Sequence, residues 1–295
     1  MSDTELRYVY AVGRDEEALD RVTGLVTGVD GHSLHTVRGG GLTALVSGVP
    51  ADRFEEATLT AQLEDLDRLE RLARAHHAVV DAAFAGTTVL PMRLATVYRD
   101  EARVAAMLEE RRVPFGELLD LLDGHVELGV KVYAVARAAA PAPASPESEA
   151  AGTSPGRAYL RRRRAQRDTV RNAYRVAADL AEVAAREAGA LAAARVSHRP
   201  QQGEWSEGRG ENVANEAYLV PVGAVEEFRA RLGSLTRPGV GVEVTGPWAP
   251  YSFATGAGEA ADAGEAAEAG GAGHAQVPPS AAEVQRQAPA GGRSA

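Results

Sequence analysis

The stretch "YVYAVGR", residues 8–14, is nearly repeated as "KVYAVAR", residues 131–137. Both runs are rich in β-branched and aromatic residues, and each therefore predicts a β-strand. Each is followed by further short apolar runs and amphipathic helical patterns. A chain of 295 residues is long enough for two domains of ordinary size, each with its own core. The near-repeat therefore predicts two α+β domains, each of which begins with its first strand.

The first domain is predicted over residues 1–125. The segment "HSLHTVRGGGLTALVSGVP" predicts a β-hairpin with a glycine turn, because two short apolar runs flank three glycines. Apolar residues then recur at intervals of three or four from Leu59, which predicts a long amphipathic helix. "TTVLPMRLATVY" predicts an edge or bulged strand because it contains Pro91. Two shorter helices complete the domain, the second running from Pro114 to Gly124.

The second domain is predicted over residues 126–255. Its patterns run strand, helix, strand, strand, helix, strand, which is the βαββαβ order of a ferredoxin-like domain. Between the first strand and the first helix, residues 138–156 consist mainly of Ala, Pro, Ser, Glu and Gly. This composition cannot build a core and predicts a disordered insertion. Residues 256–295 show no hydrophobic periodicity either, and we expect a disordered C-terminal tail there.

Composition excludes several classes of function. The chain contains no cysteine, so thiolate nucleophiles, disulfides and Cys-ligated metal centres are absent. The formal net charge is -9, which argues against a dedicated nucleic-acid-binding protein. No segment approaches the roughly 20 apolar residues that a membrane span needs, and the N-terminus does not resemble a signal peptide. We therefore expect a cytoplasmic protein without a membrane partner.

The histidines and serines do not form a recognisable reactive centre. His32 and His35 are three apart in the predicted hairpin, a spacing that sends them to opposite faces. His76 and His77 are adjacent on the predicted long helix, where their directions differ by about 100°. No Gly-x-Ser-x-Gly elbow is present, and the paired carboxylates lie on predicted solvent faces. The sequence therefore predicts no metal site, no cofactor and no enzymatic activity.

Two other segments are candidates for contacts with a partner. "YLRRRRAQRD" concentrates guanidinium groups at Arg161, Arg162, Arg163 and Arg164, which suits a polyanion or protein contact, although a solvated helix start explains the run equally well. "VTGPWAPYSFA" places Trp248, Tyr251 and Phe253 in a proline-bearing segment of a chain with few aromatics. Rigid aromatics provide contact area at low entropic cost, but such rings more commonly pack in a core.

Several segments, in the same order, resemble the gas vesicle protein family GvpL/GvpF. They are "YVYAVGR", "VLPMRLATVY", "VELGVKVYAV", "GRAYLRRRR", "NEAYLVP" and "TGPWAPYSFA". The resemblance extends from about Tyr8 to Ala254. One departure lies at Leu94-Ala95, where the family commonly has Phe-Gly, so the packing or contacts of that segment are expected to differ.

The resemblance implies a minor gas vesicle protein that acts in vesicle assembly or nucleation. It implies a two-domain α+β protein that binds the small hydrophobic shell protein, prevents its aggregation, and contacts other minor vesicle proteins. Localisation to gas vesicles in the cytoplasm is implied in the same way. An open strand edge is one means by which such a protein covers an aggregation-prone subunit.

The partner surface is expected on the two proline-bearing segments. Its predicted members are Leu90, Pro91, Met92, Arg93, Thr96, Gly246, Pro247, Trp248, Pro250, Tyr251 and Phe253. The alternative is that both segments are packing elements of the core. Two alternative functions remain: a small-molecule-binding regulatory module, detectable as a ligand-dependent thermal shift, and a nucleic-acid-binding protein that uses Arg161 to Arg164.

Overall fold

A computed structural model describes residues 5–54, 65–134, 155–200, 210–235, 237 and 239–254. The protein combines helices with two antiparallel sheets, so the predicted α+β class is confirmed. The chain divides into two compact units. The first contains Met1–His125 together with Trp248–Ala295, and the second contains Val126–Pro247. Residues 248–254, placed in the second domain by sequence, therefore group with the first unit.

The first unit is built on a sheet with the strand order β2-β3-β1-β4, in which β5 also pairs with β1. Its strands are β1 (Glu5–Gly13), β2 (Leu34–Gly39), β3 (Leu42–Pro50), β4 (Val89–Pro91) and β5 (Val97–Tyr98). Its helices are α1 (Glu16–Thr23), α2 (Ala51–Phe54), α3 (Leu66–Gly86), α4 (Glu101–Glu110) and α5 (Arg112–Leu122). Short 3-10 helices occupy Val29–Gly31 and Tyr251–Phe253.

Strand β1 is the centre of this core. All five residues from Tyr8 to Val12 are fully buried. β1 pairs antiparallel with β3 on one side, with a register shift between Val9 and Ala11, and with β4 and β5 on the other. A strand buried on both faces requires apolar residues at successive positions, which explains why the "YVYAV" run is continuous rather than strictly alternating.

Three helices of the first unit begin at an aspartate whose carboxylate caps the free N–H groups of the first turn. Asp15 accepts from the backbone N of Ala18 at 2.9 Å. Asp65 accepts from the backbone N of Asp67 and Arg68 at 3.0 and 3.2 Å. Asp100 accepts from the backbone N of Arg103 at 2.8 Å. These caps fix where α1, α3 and α4 begin.

The glycine turn between β2 and β3 has a steric cause. Gly40 and Gly41 have φ values of 60° and 74°, in the left-handed region that favours glycine. At Gly39 a Cβ atom would lie 2.5 Å from the backbone oxygen of Ala105 in α4, so no side chain fits. The glycines therefore form the predicted hairpin turn and let α4 approach it closely.

The second unit contains the strands β6 (His125–Ala134), β7 (Ala194–His198), β8 (Glu211–Pro221) and β9 (Val240–Trp248). Helix α6 (Pro155–Gly189) connects β6 to β7, and α7 (Val225–Gly233) connects β8 to β9. The sheet order is β7-β8-β6-β9. If the strands of each sheet are counted from its own first strand, both sheets show the order 2-3-1-4. The described parts of the two near-repeats, residues 8–13 and 131–134, therefore lie in equivalent strands, β1 and β6.

Several element boundaries differ from the sequence-based expectation. Helix α1 was not predicted, although Asp15 and the acidic residues after it are typical of a helix start. Helix α5 begins at Arg112 rather than Pro114, and α6 begins at Pro155, inside the predicted insertion. The rest of that insertion, residues 138–154, and the tail 256–295 lie outside the described residues.

Candidate functional site

The first proline-bearing segment is hydrogen-bonded to the central strand. Leu90 and Pro91 are buried in β4 and pair with Val12 and Ala11 of β1. The backbone N of Met92 donates to the oxygen of Tyr10 at 2.9 Å, and the backbone N of Val9 donates to the oxygen of Thr96, also at 2.9 Å. Proline is tolerated here because β4 is an edge strand in the sheet order. The segment is thus part of the first unit's scaffold.

Ala95 occupies a strained position within this segment. Its φ is 66°, in the left-handed region, where a Cβ atom costs an ordinary L-residue about 1–2 kcal/mol. The conformation is held because the backbone N of Ala95 donates to the Tyr8 hydroxyl at 2.9 Å. Thr96 closes the same turn: its backbone N and its hydroxyl both donate to the oxygen of Arg93, at 3.2 and 2.8 Å. The departure from the family's Phe-Gly pair thus falls at a position that favours glycine.

We expect Ala95→Gly to raise the free energy of unfolding by about 1 kcal/mol, because glycine adopts this conformation without the Cβ penalty. Ala78→Gly is the matched control, since Ala78 is exposed in the middle of α3 and glycine there should cost roughly 1 kcal/mol. Denaturant unfolding of both variants measures the two changes. A destabilised Ala95→Gly protein would show that the left-handed conformation is not the native one.

His76 connects this segment to helix α3 through a chain of buried hydrogen bonds. Its Nε2 lies 3.1 Å from the carbonyl oxygen of Met92, which can only accept, so Nε2 carries the proton. Its Nδ1 is therefore an acceptor and receives the Tyr8 hydroxyl at 3.1 Å. The Tyr8 oxygen in turn accepts from Ala95. Each polar atom in this buried chain has a partner that matches its hydrogen-bonding capacity.

Burial keeps His76 neutral. It lowers the pKa of His76 to about 3, and a positive charge on neighbouring His77 would act in the same direction. Burial also raises the pKa of the Tyr8 hydroxyl, so this group remains protonated and can donate. Both ring nitrogens of His76 are hydrogen-bonded inside the core, so neither is free to bind a substrate. The imidazole instead positions the segments that it contacts.

His77 provides the contact with the second proline-bearing segment. Its Nδ1 lies 3.1 Å from the Tyr251 hydroxyl, and the two rings meet edge to face with centroids 4.9 Å apart. Burial lowers the pKa of His77 to about 4. Ala249 belongs to the buried core cluster of the first unit, and Tyr251 packs against it. The segment that begins at Trp248 is thus attached to α3 by a ring contact and a hydrogen bond.

The two adjacent histidines therefore hold the two segments that the sequence singles out. His76 bonds the Leu90–Thr96 segment, and His77 bonds the segment that contains Tyr251. We call this arrangement the histidine junction, defined by Tyr8, His76, His77, Met92 and Tyr251. From the sequence, both histidines were considered as metal or acid–base candidates, and His76 was also placed on the apolar face of the long helix. The sequence did indicate this arrangement, because the side chains of adjacent helical residues point about 100° apart and can therefore contact two different segments.

Burial separates the predicted partner residues into supporting and accessible groups. The buried members, which a partner cannot contact directly, are Leu90, Pro91, Met92 and Pro250. Arg93 and Pro247 are exposed. The half-buried members are Thr96, Gly246, Trp248, Tyr251 and Phe253. Gly246 has a φ of 102° and its carbonyl accepts from Arg229 within the second unit.

The arginine run lies elsewhere, in the first turns of α6. Arg161, Arg163 and Arg164 are exposed, and Arg163 donates to the hydroxyl of Tyr159, four residues earlier, at 3.3 Å. Among the side chains of this helix that the structure describes, the first buried one is that of Ala173. The run is thus the solvated helix start that sequence analysis considered, and its use as a contact surface stays a prediction.

The described residues offer little to a metal ion or a small molecule. Within them, no group of three or more His, Asp or Glu side chains is placed to hold a metal. The surface grooves of the described residues include one of about 720 Å³ between the α1–β2 loop and α3 and one of about 430 Å³ beside α6. Neither groove includes a residue of the histidine junction. Across the described part of the chain, no helix is long and apolar enough to span a membrane.

Fold and site together define an α+β protein with two antiparallel sheets, in which the sequence-marked segments meet at a buried tyrosine–histidine network. The family model described as "Gas vesicle synthesis protein GvpL/GvpF" matches residues 6–255. The chain belongs to this GvpL/GvpF family of gas vesicle proteins.

Individual relatives agree with this assignment. The chain is 43% identical over 254 residues to gas vesicle protein L of Streptomyces sp. (strain CB03234), a match that covers 86% of this chain and 94% of the relative. It is 30% identical over 221 residues to gas vesicle protein F of the same strain, covering 72% and 84%.

Two crystal structures share the fold. Gas vesicle protein GvpF from Anabaena sp. PCC7120 superposes with a TM-score of 0.55 at 18% identity, covering 85% of this chain and 96% of the other. GvpF from Microcystis aeruginosa gives the same TM-score and identity, covering 85% and 99%. At this identity the likeness concerns the fold alone.

Proposed function

We propose that this protein is a minor gas vesicle protein that acts in vesicle assembly or nucleation by binding the small hydrophobic shell protein and preventing its aggregation. Family membership over residues 6–255 is the observation that carries the proposal. The relatives' names place them with gas vesicles. In the same proposal the protein is not an enzyme, needs no cofactor, works in the cytoplasm at the vesicle, and contacts other minor vesicle proteins.

The physical task of such a protein is to cover apolar surface. A small shell subunit that exposes apolar surface or strand edges aggregates unless a partner shields it before insertion. A folded α+β scaffold shields such a subunit without itself becoming part of the aggregate. The burial of Tyr8, His76, His77 and Met92 in the histidine junction supports this role for the first unit, because a rigid scaffold presents a defined surface.

The fold of the second unit is part of the proposal. We assign it to the ferredoxin-like class as a separate domain. The order strand, helix, strand, strand, helix, strand and the sheet order β7-β8-β6-β9 support this assignment.

We place the shell-protein contact on the accessible residues of the two proline-bearing segments. Arg93 is the sharpest test because it is exposed, beside the buried Leu90–Met92 anchor. Arg99→Ala is the matched control, since it removes an equally exposed arginine six residues further along the chain. We expect Arg93→Ala, Trp248→Ala and Tyr251→Ala to lower the soluble, bound shell protein severalfold in co-expression, and Arg99→Ala to leave it unchanged.

The readout must separate lost binding from lost folding. Arg93→Ala truncates an exposed side chain, so its free energy of unfolding should stay within about 0.5 kcal/mol of the parent's. If a folded Arg93→Ala protein and folded Trp248 and Tyr251 variants all capture shell protein as well as the parent, the surface lies elsewhere.

The assembly role itself is tested by complementation. The test uses cells that carry a gas vesicle gene cluster from which the GvpL/GvpF-type gene most similar to this chain has been deleted. We expect expression of this chain to restore vesicles visible by electron microscopy. A folded and expressed chain that restores none would contradict the assembly role.

A further inference from the structure

Helix α6 extends beyond the part of the second unit on which it packs. Its buried side chains are Ala173, Ala177, Leu180, Ala184 and Ala188. From Tyr159 to Asp168, every residue whose side chain is described is exposed. At 1.5 Å per residue, these ten positions add about 15 Å of helix, along which none of the described side chains is buried. Burial of apolar surface therefore does not explain the sequence of this part of the helix.

Five arginines lie along one side of this helix. At 100° per residue, Arg161, Arg164, Arg167, Arg171 and Arg175 fall within an arc of about 120°. All five are exposed. The arc is centred opposite the buried alanine face, and successive arginines are separated by about 4.5–6 Å along the axis. We call this set the basic stripe.

The basic stripe lacks acidic partners in the part of the chain that the structure describes. Arg175 donates to the side-chain oxygen of Asn172 at 3.0 Å, and the other four arginines make no ion pair there. Asp168 is the only acidic residue between Arg161 and Arg175, and it lies in the same arc, four residues after Arg164 and three before Arg171. In the described structure it forms no ion pair with either arginine. This absence contrasts with the chain's net charge of -9.

The stripe destabilises its own helix. Like charges three or four residues apart repel each other, by about 0.2–0.5 kcal/mol per pair. Carboxylates placed along the stripe would relieve this repulsion, because each guanidinium can bind a carboxylate through two parallel hydrogen bonds.

We propose that the basic stripe docks an acidic helix of another protein, whose carboxylates repeat every three or four residues along one face. The spacing carries this choice, since a second helix presents side chains at the same 4.5–6 Å axial intervals as the arginines. Single-stranded nucleic acid is the weaker candidate because its bases need aromatic platforms, and no aromatic residue belongs to the stripe. This inference is independent of the shell-protein contact proposed above.

Two fluorescent peptides of about 20 residues test the geometry with the full-length chain. They have identical Glu, Ala and Gln composition, but one carries all glutamates on one helical face and the other distributes them around the helix. We expect anisotropy titrations to show about tenfold tighter binding of the one-face peptide, weakening as salt rises. Equal affinities for the two peptides would overturn the proposal.

A stripe variant tests the location. Arg161→Gln, Arg164→Gln, Arg167→Gln and Arg171→Gln remove four charges while keeping good helix formers. The charge-matched control is Arg53→Gln, Arg99→Gln, Arg103→Gln and Arg112→Gln, all exposed in the first unit. We expect the stripe variant to lose about tenfold or more in affinity for the one-face peptide and the control to lose less than about threefold.

Two results would overturn this location and partner. One is that the stripe variant, with unchanged circular dichroism, binds the one-face peptide as tightly as the control. The other is that a single-stranded oligonucleotide binds the parent more tightly than the peptide at the same salt and loses this affinity in the stripe variant. If circular dichroism shows that the stripe variant has lost helical structure, the proposal is judged from the affinities of the two peptides for the parent chain.

Discussion

Acidification from pH 6.5 to pH 4.5 is expected to lower the free energy of unfolding steeply, because two neutral histidines are buried side by side in α3. Burial lowers the pKa of His76 to about 3 and that of His77 to about 4. In the unfolded chain both titrate near the ordinary value of about 6.5. Each histidine then lowers the free energy of unfolding by about 2 kcal/mol over this interval, with a slope that approaches about 1.4 kcal/mol per pH unit once the unfolded imidazole is protonated.

The direction follows from proton binding. Below pH 6.5 the unfolded chain binds a proton at each histidine and the folded protein does not, so acid favours the unfolded state. The contribution of the two neutral histidines to stability is complete well above pH 6.5. It is lost as the pH falls toward their folded-state pKa values of about 3 and 4. The two pKa shifts together remove at most about 8 kcal/mol, which is a large part of the roughly 5–15 kcal/mol that a typical domain has.

The variant His76→Gln separates destabilisation due to His76 from destabilisation due to other groups that titrate in acid. The glutamine amide can donate to Met92 and accept from Tyr8 as the imidazole does, but it does not titrate. We expect the dependence of unfolding free energy on pH to become shallower by about 1.4 kcal/mol per pH unit, measured by denaturant unfolding at several pH values. Val79→Ala on the same helix is the control: it truncates a fully buried residue and should lower stability equally at every pH. An unchanged slope in His76→Gln would contradict the neutral, buried state of His76.

Tyr8→Phe is expected to cost about 2–4 kcal/mol, although it removes a single oxygen atom. That oxygen accepts from the backbone N of Ala95 and donates to His76 Nδ1, so its loss leaves two partly or fully buried polar groups without a partner. Each unsatisfied buried group costs about 1–3 kcal/mol. Denaturant unfolding at neutral pH measures the loss.

Tyr159→Phe is the matched control for Tyr8→Phe. Tyr159 is 54% exposed, and its hydroxyl makes one long bond to Arg163, so its removal should change stability by less than about 0.5 kcal/mol. A double-mutant cycle with Tyr8→Phe and His76→Leu should give a coupling energy of about 1 kcal/mol or more, since the two side chains are in contact. Additive losses would mean that the Tyr8–His76 bond does not contribute to stability.

The order of the elements was largely accessible from sequence because it depends on hydrophobic periodicity. The near-repeat predicted the first strand of each half, and these strands occupy equivalent positions in the two sheets. Helix α1 was missed because it is only eight residues long, and short helices gain most of their stability from packing that periodicity alone does not reveal.

The candidate site was only partly predictable. The two proline-bearing segments were identified by their composition, but their meeting at α3 depends on contacts between residues far apart in the chain. Tyr251 and His77 are separated by 174 positions, and no local pattern encodes such a pair. The only indication of strain at Ala95 in the sequence was that the family commonly has glycine at this position. The backbone conformation supplies the physical reason.

Co-expression of the tagged protein with the small shell protein of the same host tests the central proposal most directly. The quantity to measure is the amount of shell protein that remains soluble and co-purifies at moderate salt. We expect most of the shell protein to stay soluble and bound when this chain is present and to precipitate when it is absent. If the shell protein precipitates while this chain elutes alone and folded, direct binding of the shell protein is contradicted.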